Sequence, residues 1–291
     1  MDTFDNLAKY KIFLCVAENK SISKAAACLY ISQPAVSITI RKLEENLNTT
    51  LFIRKSKGVE LTEKGRLLYD SVKKALNMLL DTEKSLRVPF NTGYLRIASS
   101  NVLCKHFLMP YLKEFSNLYP NTDLAITCTS SVEACQMIEE CSIDLALVVK
   151  PENPGMSIYH SLGVIEYIFV CAPTYREKFN CKNDEIFEYA NIMLLDKDNI
   201  SRKHINGYYA KNNIIPLHIL EVNEMDMLIE FAKMGIGVSC VVKQFVEQEL
   251  KNGLLIEITL SNPIPPREIG FLYNDIKPFN ENILKFINVK F

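Results

Sequence analysis

The sequence lacks the features that mark membrane and secreted proteins. No run of about 18 consecutive apolar residues occurs in its 291 residues, so a transmembrane helix is not expected. The first segment, MDTFDNLAKY, is polar and acidic, whereas a secretory signal is basic and then apolar. These absences predict a cytoplasmic protein with no membrane partner.

Motifs for metal binding and catalysis are also missing. The nine cysteines form no Cys-x-x-Cys pair, and the four histidines are distant from one another in the sequence. A structural zinc site is therefore not expected. Because no nucleophile-elbow motif occurs either, we expect ligand binding without turnover and no cofactor. Five cysteines lie in apolar runs and are interpreted as small buried hydrophobic residues. They are Cys15, Cys28, Cys128, Cys171 and Cys240.

The net charge of the whole chain is close to zero, but its two parts carry opposite net charges. The total is −1, whereas residues 1–90 contain 15 Lys and Arg against 10 Asp and Glu. Residues 91–291 hold 18 and 24, so an acidic body follows a basic N-terminal part. This asymmetry predicts that the N-terminal part contacts a polyanion.

Residues 21–43 have the pattern of two short helices joined by a tight turn. Ser21 or Ser23 can cap the first helix, and Ser32 can cap the second, with Pro34 in its first turn. Small residues at 25–27 allow the two helices to cross closely. Four residues of the second helix are predicted to form its buried stripe. They are Val36, Ile40, Leu43 and Leu47.

This pattern predicts a helix-turn-helix, which places the start of its second helix in the DNA major groove. Gln33 can bond an adenine edge, and nearby basic residues can reach phosphates. The alternative is a helical packing domain with a solvated basic face. The predicted DNA-binding residues are Ser21, Ser23, Ser32, Gln33, Pro34, Ser37, Arg41, Lys42, Arg54, Lys55 and Lys57.

Residues 51–87 predict a wing and a long helix. Two short extended pieces surround the basic turn at 55–58, and Thr62 can cap a helix that runs to about residue 87. An apolar seam at nearly heptad spacing predicts that this helix joins two copies of the chain. The seam consists of Leu68, Val72, Ala75, Leu79 and Leu86.

From residue 92 onward, strands alternate with helices, which predicts mostly parallel sheets in two α/β lobes with a pocket between them. Three polar segments follow predicted strands, where hydroxyl and backbone N–H groups suit an anionic ligand. Each segment is equally typical of an ordinary helix N-cap, and Arg202 suits either ligand binding or bracing of its lobe. The segments comprise Ser99, Ser100 and Asn101; Thr129, Ser130 and Ser131; and Asn199, Ile200, Ser201 and Arg202.

The segments FLCVAE (13–18), SQPAVS (32–37), LFIR (51–54) and LTEKG (61–65) resemble the LysR-type transcriptional regulators, and weaker similarity continues to GIGV (235–238). The resemblance implies a winged helix-turn-helix, a dimerising linker helix and an effector domain like periplasmic binding proteins. The expected ranges are 1–62, 63–90 and 91–291, with lobe I at about 91–163 and 266–291 and lobe II at about 164–265. The implied effector is a small acid, an amino acid or an inorganic anion, held by the three polar segments. The implied partners are double-stranded promoter DNA, RNA polymerase and further copies of the chain, as a homodimer and then a homotetramer.

Three positions depart from the family pattern. Ile38 replaces a frequent Arg or Lys, which removes one expected phosphate contact. Asn48 replaces a frequent Gly and must tolerate a left-handed backbone. Glu224 replaces a frequent Ser or Thr at the effector pocket and favours a cationic or zwitterionic effector if it faces inward.

Three other functions are compatible with the sequence. A thiol-based redox regulator of the same family would use Cys171, Cys181 or Cys240. A solute-binding protein would share the two lobes but not the DNA-binding part, and an enzyme would turn over its ligand.

Overall fold

The computed structural model describes residues 7–55, 58–87, 93–179, 181–275 and 280–290. The chain divides into two compact units. The N-terminal unit comprises residues 1–89 with 140–142, and the C-terminal unit comprises residues 90–139 and 143–291.

The N-terminal unit is a three-helix core followed by a hairpin and a long helix. Its elements are α1 (Leu7–Asn19), α2 (Ile22–Cys28), α3 (Gln33–Leu47), β1 (Phe52–Lys55), β2 (Gly58–Leu61) and α4 (Glu63–Arg87). Phe13, Val36 and Leu43 are fully buried between the helices. Ala25 and Ala26 are also buried, which confirms the close helix crossing, while Ala27 is exposed.

The predicted cap at Ser32 and the left-handed Asn48 of α3 are confirmed, but the buried stripe of this helix is shorter than predicted. Ser32 caps the N-terminus, and Asn48 ends the helix in the left-handed region at φ 46°. An Asn can adopt this conformation because its short polar side chain tolerates it. Leu47 is 40% exposed, so its predicted burial is wrong. Leu47 is the last helical residue, and the chain turns at Asn48 directly after it.

The hairpin is held against the helices by backbone contacts. β1 and β2 pair antiparallel, and the Val59 N–H donates to the Lys20 carbonyl at 3.0 Å. A Cβ on Gly58 would lie 2.3 Å from that carbonyl oxygen, so the wing approaches α1 closely only with glycine at this position. The Glu44 carboxylate of α3 accepts the Leu51 N–H at 2.7 Å. These bonds fix the wing beside α3. The predicted cap of α4 is also confirmed, because the Gly65 N–H donates to Thr62 Oγ1 at 2.9 Å.

The C-terminal unit contains two five-stranded sheets. Its strands are β3 (Tyr94–Ser99), β4 (Asp123–Cys128), β5 (Leu145–Val149), β6 (Ile158–Ile165), β7 (Tyr167–Cys171), β8 (Asn191–Leu195), β9 (His218–Val222), β10 (Val238–Val242), β11 (Ile256–Ile258) and β12 (Arg267–Tyr273). The strand order is β4-β3-β5-β12-β6 in lobe I and β11-β7-β10-β8-β9 in lobe II.

The expectation of mostly parallel sheets is wrong in the described part of the chain. Strands β3, β4 and β5 pair parallel, as do β8, β9 and β10. The pairs of β12 with β5 and β6, and of β7 with β10 and β11, are antiparallel. Strands β6 and β11 were not expected from the sequence. β6 alternates weakly because most of its residues are exposed, and β11 has only three residues.

Helices cover the sheets, and buried residues of both lobes form one continuous apolar cluster. The helices are α5 (Asn101–Leu103), α6 (Met109–Leu118), α7 (Ser131–Glu139), α8 (Pro173–Arg176), α9 (Ile186–Tyr189), α10 (Ile200–Asn212), α11 (Met225–Lys233), α12 (Glu247–Lys251) and α13 (Asn282–Ile287). A π-helical turn, Cys104–Leu108, joins α5 to α6. Among the described residues, no helix combines the length and the apolar character that a bilayer span requires.

Candidate DNA-reading surface and effector site

The exposed start of α3 presents polar groups that suit base edges. Ser32 caps the helix by accepting the Ala35 N–H at 3.4 Å. Gln33 and Pro34 occupy the first turn, and both are exposed. The Pro34 ring costs no helical hydrogen bond here, because the first N–H groups of a helix have no partner within it. The side chain of Gln33 therefore projects from a rigid helix start.

Gln33 is oriented by a residue before the turn. Ser23 Oγ donates to Gln33 Oε1 at 3.1 Å, and both side chains are exposed. Ser21, by contrast, caps α2 by accepting the Lys24 N–H at 3.3 Å. Of the two serines, Ser23 is thus the one that is hydrogen-bonded to Gln33. Both serines were predicted to lie in the interface, but the bond to Gln33 was not predicted.

Basic residues surround the start of α3 and the wing. Arg41 pairs with Glu45 at 3.5 Å, and Lys55 pairs with Glu60 at 2.5 Å. Such exposed pairs contribute little to stability, so these cations can exchange a carboxylate for a phosphate. The remaining predicted positions are Lys42 and Arg54, which are exposed; Ser37, which lines a cavity of about 70 Å³ with Arg54; and Lys57, which lies outside the described residues.

In lobe I, the first two polar segments lie side by side. The Thr129 N–H donates to the Ser99 carbonyl at 2.9 Å, because β3 and β4 run parallel and end together. Ser100 caps the helix that follows β3, and Asn101 beside it is exposed. The Ser99 hydroxyl is buried without a hydrogen-bond partner among the described residues. Buried hydroxyls are usually hydrogen-bonded, so this one lacks a partner that a small molecule beside it would supply.

The second segment is already occupied by a carboxylate of the chain. Glu133 Oε2 accepts hydrogen bonds from the Thr129 hydroxyl and from the N–H and hydroxyl of Ser130. The Thr129 hydroxyl bond holds the pKa of Glu133 below its usual range. Ser131 is buried, and its hydroxyl accepts the Val149 N–H at 3.5 Å. The start of α7 therefore holds a fixed negative charge. The spacing Ser-x-x-Glu in the sequence is the signature of this capping box.

In lobe II, a pair of hydroxyls lies at the start of α10. Asn199 caps the helix by accepting the Ser201 N–H at 2.8 Å. The hydroxyls of Ser201 and Tyr167 are 2.8 Å apart. Arg267 donates to the Ile200 carbonyl at 3.4 Å, which places a cation beside this segment. The sequence analysis missed Tyr167 and Arg267, which are far from Ser201 in the chain.

Arg202 braces lobe II. It is 5% exposed and donates to the Leu195 carbonyl at 2.7 Å, to Glu221 at 3.1 Å and to Asn206 at 2.9 Å. These bonds connect the end of β8 to α10 and β9. Of the two roles left open for Arg202, the contacts favour the brace.

Between the lobes, lobe I contacts the start of α11. Lys105 Nζ pairs with Asp226 Oδ2 at 3.0 Å, and the His106 ring stacks on Phe245 with centroids 4.2 Å apart. Burial lowers the pKa of His106, so its ring is neutral at physiological pH. Glu224 precedes α11, is exposed and makes no side-chain cap bond. The lobes therefore meet along one side through charged and aromatic contacts.

The cysteines differ from expectation at two positions. Cys28 and Cys128 are exposed, so their predicted burial is wrong: each ends its element at the surface. Cys15, Cys171 and Cys240 are buried as predicted. Burial raises the pKa of Cys171 to about 11 and the pKa of Cys240 well above its usual range. Within the described ranges, no three His, Cys, Asp or Glu side chains are grouped as metal ligands.

Two family models match the chain. Residues 7–66 match the bacterial regulatory helix-turn-helix protein, lysR family, and residues 90–289 match the LysR substrate binding domain. Together they cover the reading surface and the three polar segments.

Known proteins show the same arrangement over nearly their whole length. The uncharacterized HTH-type transcriptional regulator MJ0300 of Methanocaldococcus jannaschii is 26% identical over 285 residues, covering 96% of each chain. The crystal structure of ArgP from Mycobacterium tuberculosis has a TM-score of 0.71 and 14% identity, covering 96% of this chain and 93% of ArgP. Full-length CbnR, solved in complex with its target DNA, has a TM-score of 0.64 and 17% identity, covering 99% and 98%. At these identities, the two structures establish the fold.

Proposed function

Because the chain belongs to the LysR family of DNA-binding transcriptional regulators, we propose which of its residues read DNA and which bind the effector. Gln33 reads a base in the major groove, with Ser32 and Ser37 beside it. Arg41, Lys42, Arg54, Lys55 and Lys57 contact phosphates. The observation that carries this assignment is the exposed Gln33 side chain at the rigid start of α3, held by Ser23 at 3.1 Å.

The experiment compares Gln33→Ala with Arg54→Ala on a library of randomised duplexes. Loss of a bidentate base contact costs roughly 1–3 kcal/mol and relaxes preference at one base per half-site. Loss of a phosphate contact weakens all sequences alike and lowers the slope of log affinity against log salt by about 1. If Gln33→Ala kept the wild-type preference at every position, the assignment of the reading residue would be wrong.

For the effector, we propose a small organic acid or amino acid bound at the polar ends of the strands. Its acidic group lies near Ser99, Ser100 and Asn101 in lobe I, and near Ser201 in lobe II, with Asn199 positioning the latter. Glu133 supports this placement, because its carboxylate already fills the start of α7 and would repel an acidic group there. Thr129 and Ser130 affect the site indirectly, because their hydrogen bonds position Glu133. Ser131 stabilises the structure of lobe I, and Arg202 stabilises that of lobe II.

Two observations bear on the kind of effector. The lobe I edge carries the fixed charge of Glu133, and Glu224 is exposed beside α11. Carboxylates at an effector site favour a ligand that also bears a positive group, so an amino acid suits the site better than an inorganic anion. Calorimetric titration of the protein with amino acids and with the matching deaminated acids separates the two classes.

We propose a dimer through α4 that pairs further into a tetramer, action on promoters in the cytoplasm together with RNA polymerase, and no cofactor or turnover. Support for the dimer comes from α4, where Leu79 of the predicted seam is 48% exposed. Leu68, in contrast, packs on the core of its own unit. Mass analysis of the ligand recovered from the protein tests for turnover. Recovery of an unchanged ligand would argue against turnover.

A further inference from the structure

One apolar side chain lies at the centre of the exposed face of α3. Ile38 is 45% exposed and lies outside the apolar cluster that forms the core of the N-terminal unit. At about 100° per residue, Ile38 lies about 160° around the helix from Val36 and from Ile40, and both of these residues are buried. The Ile38 side chain therefore points away from the core, and core packing does not explain an isoleucine at this position.

The neighbours of Ile38 belong to the proposed reading surface. Pro34 lies one helical turn before it and Lys42 one turn after it, and both are exposed. Arg41, three residues further on, is exposed as well. Gln33 begins the same helix five residues earlier, which is about 7.5 Å along the helix axis. Ile38 is thus an apolar group within a basic surface that continues from Gln33.

Double-stranded DNA offers a matching group for an apolar side chain in such a surface. The basic neighbours of Ile38 favour a polyanion, and the C5-methyl group of thymine is the apolar group that base edges present in the major groove. A stable protein partner, in contrast, covers about 800 Å² on each side of an interface, which far exceeds one side chain. The size and the charge of the surroundings therefore favour a base over a protein.

The shape of the Ile38 side chain also suits this contact. Isoleucine branches at Cβ, and one χ1 rotamer of such a residue is strongly preferred in a helix. Ile38 lies in the interior of α3, which extends from Gln33 to Leu47, so its backbone is fixed as well. The methyl groups of Ile38 are therefore already positioned before DNA binds, and the contact costs little side-chain entropy.

We propose that Ile38 contacts the C5-methyl group of a thymine in the major groove and thereby selects one T·A pair in each half-site. The inference rests on the proposed function, because it takes the start of α3 as the reading surface, and it adds a base that Gln33 does not read. Base pairs repeat about every 3.4 Å, so a separation of about 7.5 Å between Gln33 and Ile38 places this thymine within about three base pairs of the base read by Gln33. The contact is apolar, so it changes the sequence preference and leaves the salt dependence to the phosphate contacts.

Removal of a single methyl group from the DNA tests the contact directly. A duplex selected by the full chain from a random library is resynthesised with deoxyuridine in place of each thymine of one half-site in turn. Uracil pairs as thymine does but lacks the C5-methyl group. We expect the affinity of the wild-type chain to fall about fourfold at one position, as burial of one methyl-sized group implies. Ile38→Ala should bind the thymine and uracil forms of this duplex equally, whereas Ile38→Val, which keeps the branch at Cβ, should retain most of the difference.

The converse experiment adds the methyl group to another base. The selected T·A pair is replaced by a pair of cytosine with guanine, and then by 5-methylcytosine with guanine. The wild-type chain should bind the methylated duplex more tightly than the unmethylated one, and Ile38→Ala should not distinguish them. Leu47→Ala is the matched control, because Leu47 is 40% exposed at the other end of the same helix. It should keep the wild-type response to both modified bases.

The proposal is overturned if the wild-type chain binds thymine and uracil duplexes equally at every position, or if Ile38→Ala keeps the fourfold difference. A difference that is kept in Ile38→Ala and lost in Gln33→Ala would assign the methyl contact to Gln33. If Gln33→Ala changes the base preference while uracil has no effect, the proposed function stands and this inference alone fails. Selection of no duplex at all by the full chain would contradict the proposed function itself.

Discussion

Ser23 Oγ donates a hydrogen bond to Gln33 Oε1 over 3.1 Å, and the bond joins α2 to the first residue of α3. It restricts the Gln33 side chain before DNA arrives. Ser23→Ala should therefore weaken specific binding by about 0.5–1.5 kcal/mol, the net contribution of one hydrogen bond. The loss should appear at the same base that Gln33→Ala affects, measured by competition between duplexes that differ at that base.

A double-mutant cycle separates orientation from direct contact. If Ser23 acts by orienting Gln33, Ser23→Ala should cost nothing further once Gln33 is Ala. Additive losses would mean that Ser23 contacts the DNA on its own. Ser21→Ala is the matched control: it removes a cap of α2, so it should lower stability more than base preference.

Leu79→Glu should weaken self-association. Leu79 lies on the predicted seam of α4 and is 48% exposed, and a buried charge without a partner is costly. Leu67→Glu is the matched control, because Leu67 is 72% exposed and lies about 120° around the helix. Sedimentation equilibrium should show a rise in the dimer dissociation constant for Leu79→Glu alone. Equal effects of both variants would place the interface elsewhere.

Arg202→Ala should destabilise the C-terminal unit by about 3 kcal/mol. The change leaves the Leu195 carbonyl and Glu221 without their buried cationic partner, which is the costly way to break an ion pair. Arg202→Lys should not restore stability, because an ammonium cannot reproduce the planar fork of three bonds. Urea unfolding measures both. A stable Arg202→Ala protein with lost effector affinity would show that Arg202 binds the ligand instead.

Glu133 should make the C-terminal unit more sensitive to acid. Since the Thr129 hydroxyl bond lowers its folded pKa, Glu133 contributes stability above its ordinary pKa of 4.5 and loses it as the pH falls through the lower folded pKa. Wild type should be more stable than Glu133→Gln at neutral pH, and the difference should shrink below pH 4.5. Thermal melting across this range tests the sign; a difference that grows in acid would contradict the assignment.

The N-terminal unit was largely predictable because its signals are local. Caps at Ser21 and Ser32, the turn after Leu29 and the left-handed Asn48 each depend on a few neighbouring residues. The bond from Ser23 to Gln33 spans ten positions and depends on the angle between two helices, so no local pattern contains it. The exposure of Leu47 was not predictable for a similar reason, because hydrophobic periodicity does not show where the partner element ends.

In the C-terminal unit, the positions of most strands were predictable, but those of β6 and β11 and the directions of the strands were not. The apolar runs of β3, β5 and β10 mark buried strands, but β12 returns antiparallel to lobe I from the other end of the chain. The Lys105–Asp226 pair spans 121 positions and depends on how the two lobes pack, which no local pattern contains. The hydrogen bonds that Glu133 accepts from Thr129 and Ser130, in contrast, could have been predicted from the Ser-x-x-Glu spacing.

In the proposed mechanism, one chain couples DNA binding to a small molecule held between its lobes. The test measures the DNA bend angle and the affinity with and without an amino acid that raises the melting temperature of the C-terminal unit. We expect a saturating ligand to change the affinity or the bend angle in wild type, by about fivefold or more in affinity where affinity responds. The response should be lost in Ser100→Ala combined with Ser201→Ala and kept in Lys113→Ala, a surface change on α6. Equal bend angles and equal affinities in wild type at saturation would contradict it.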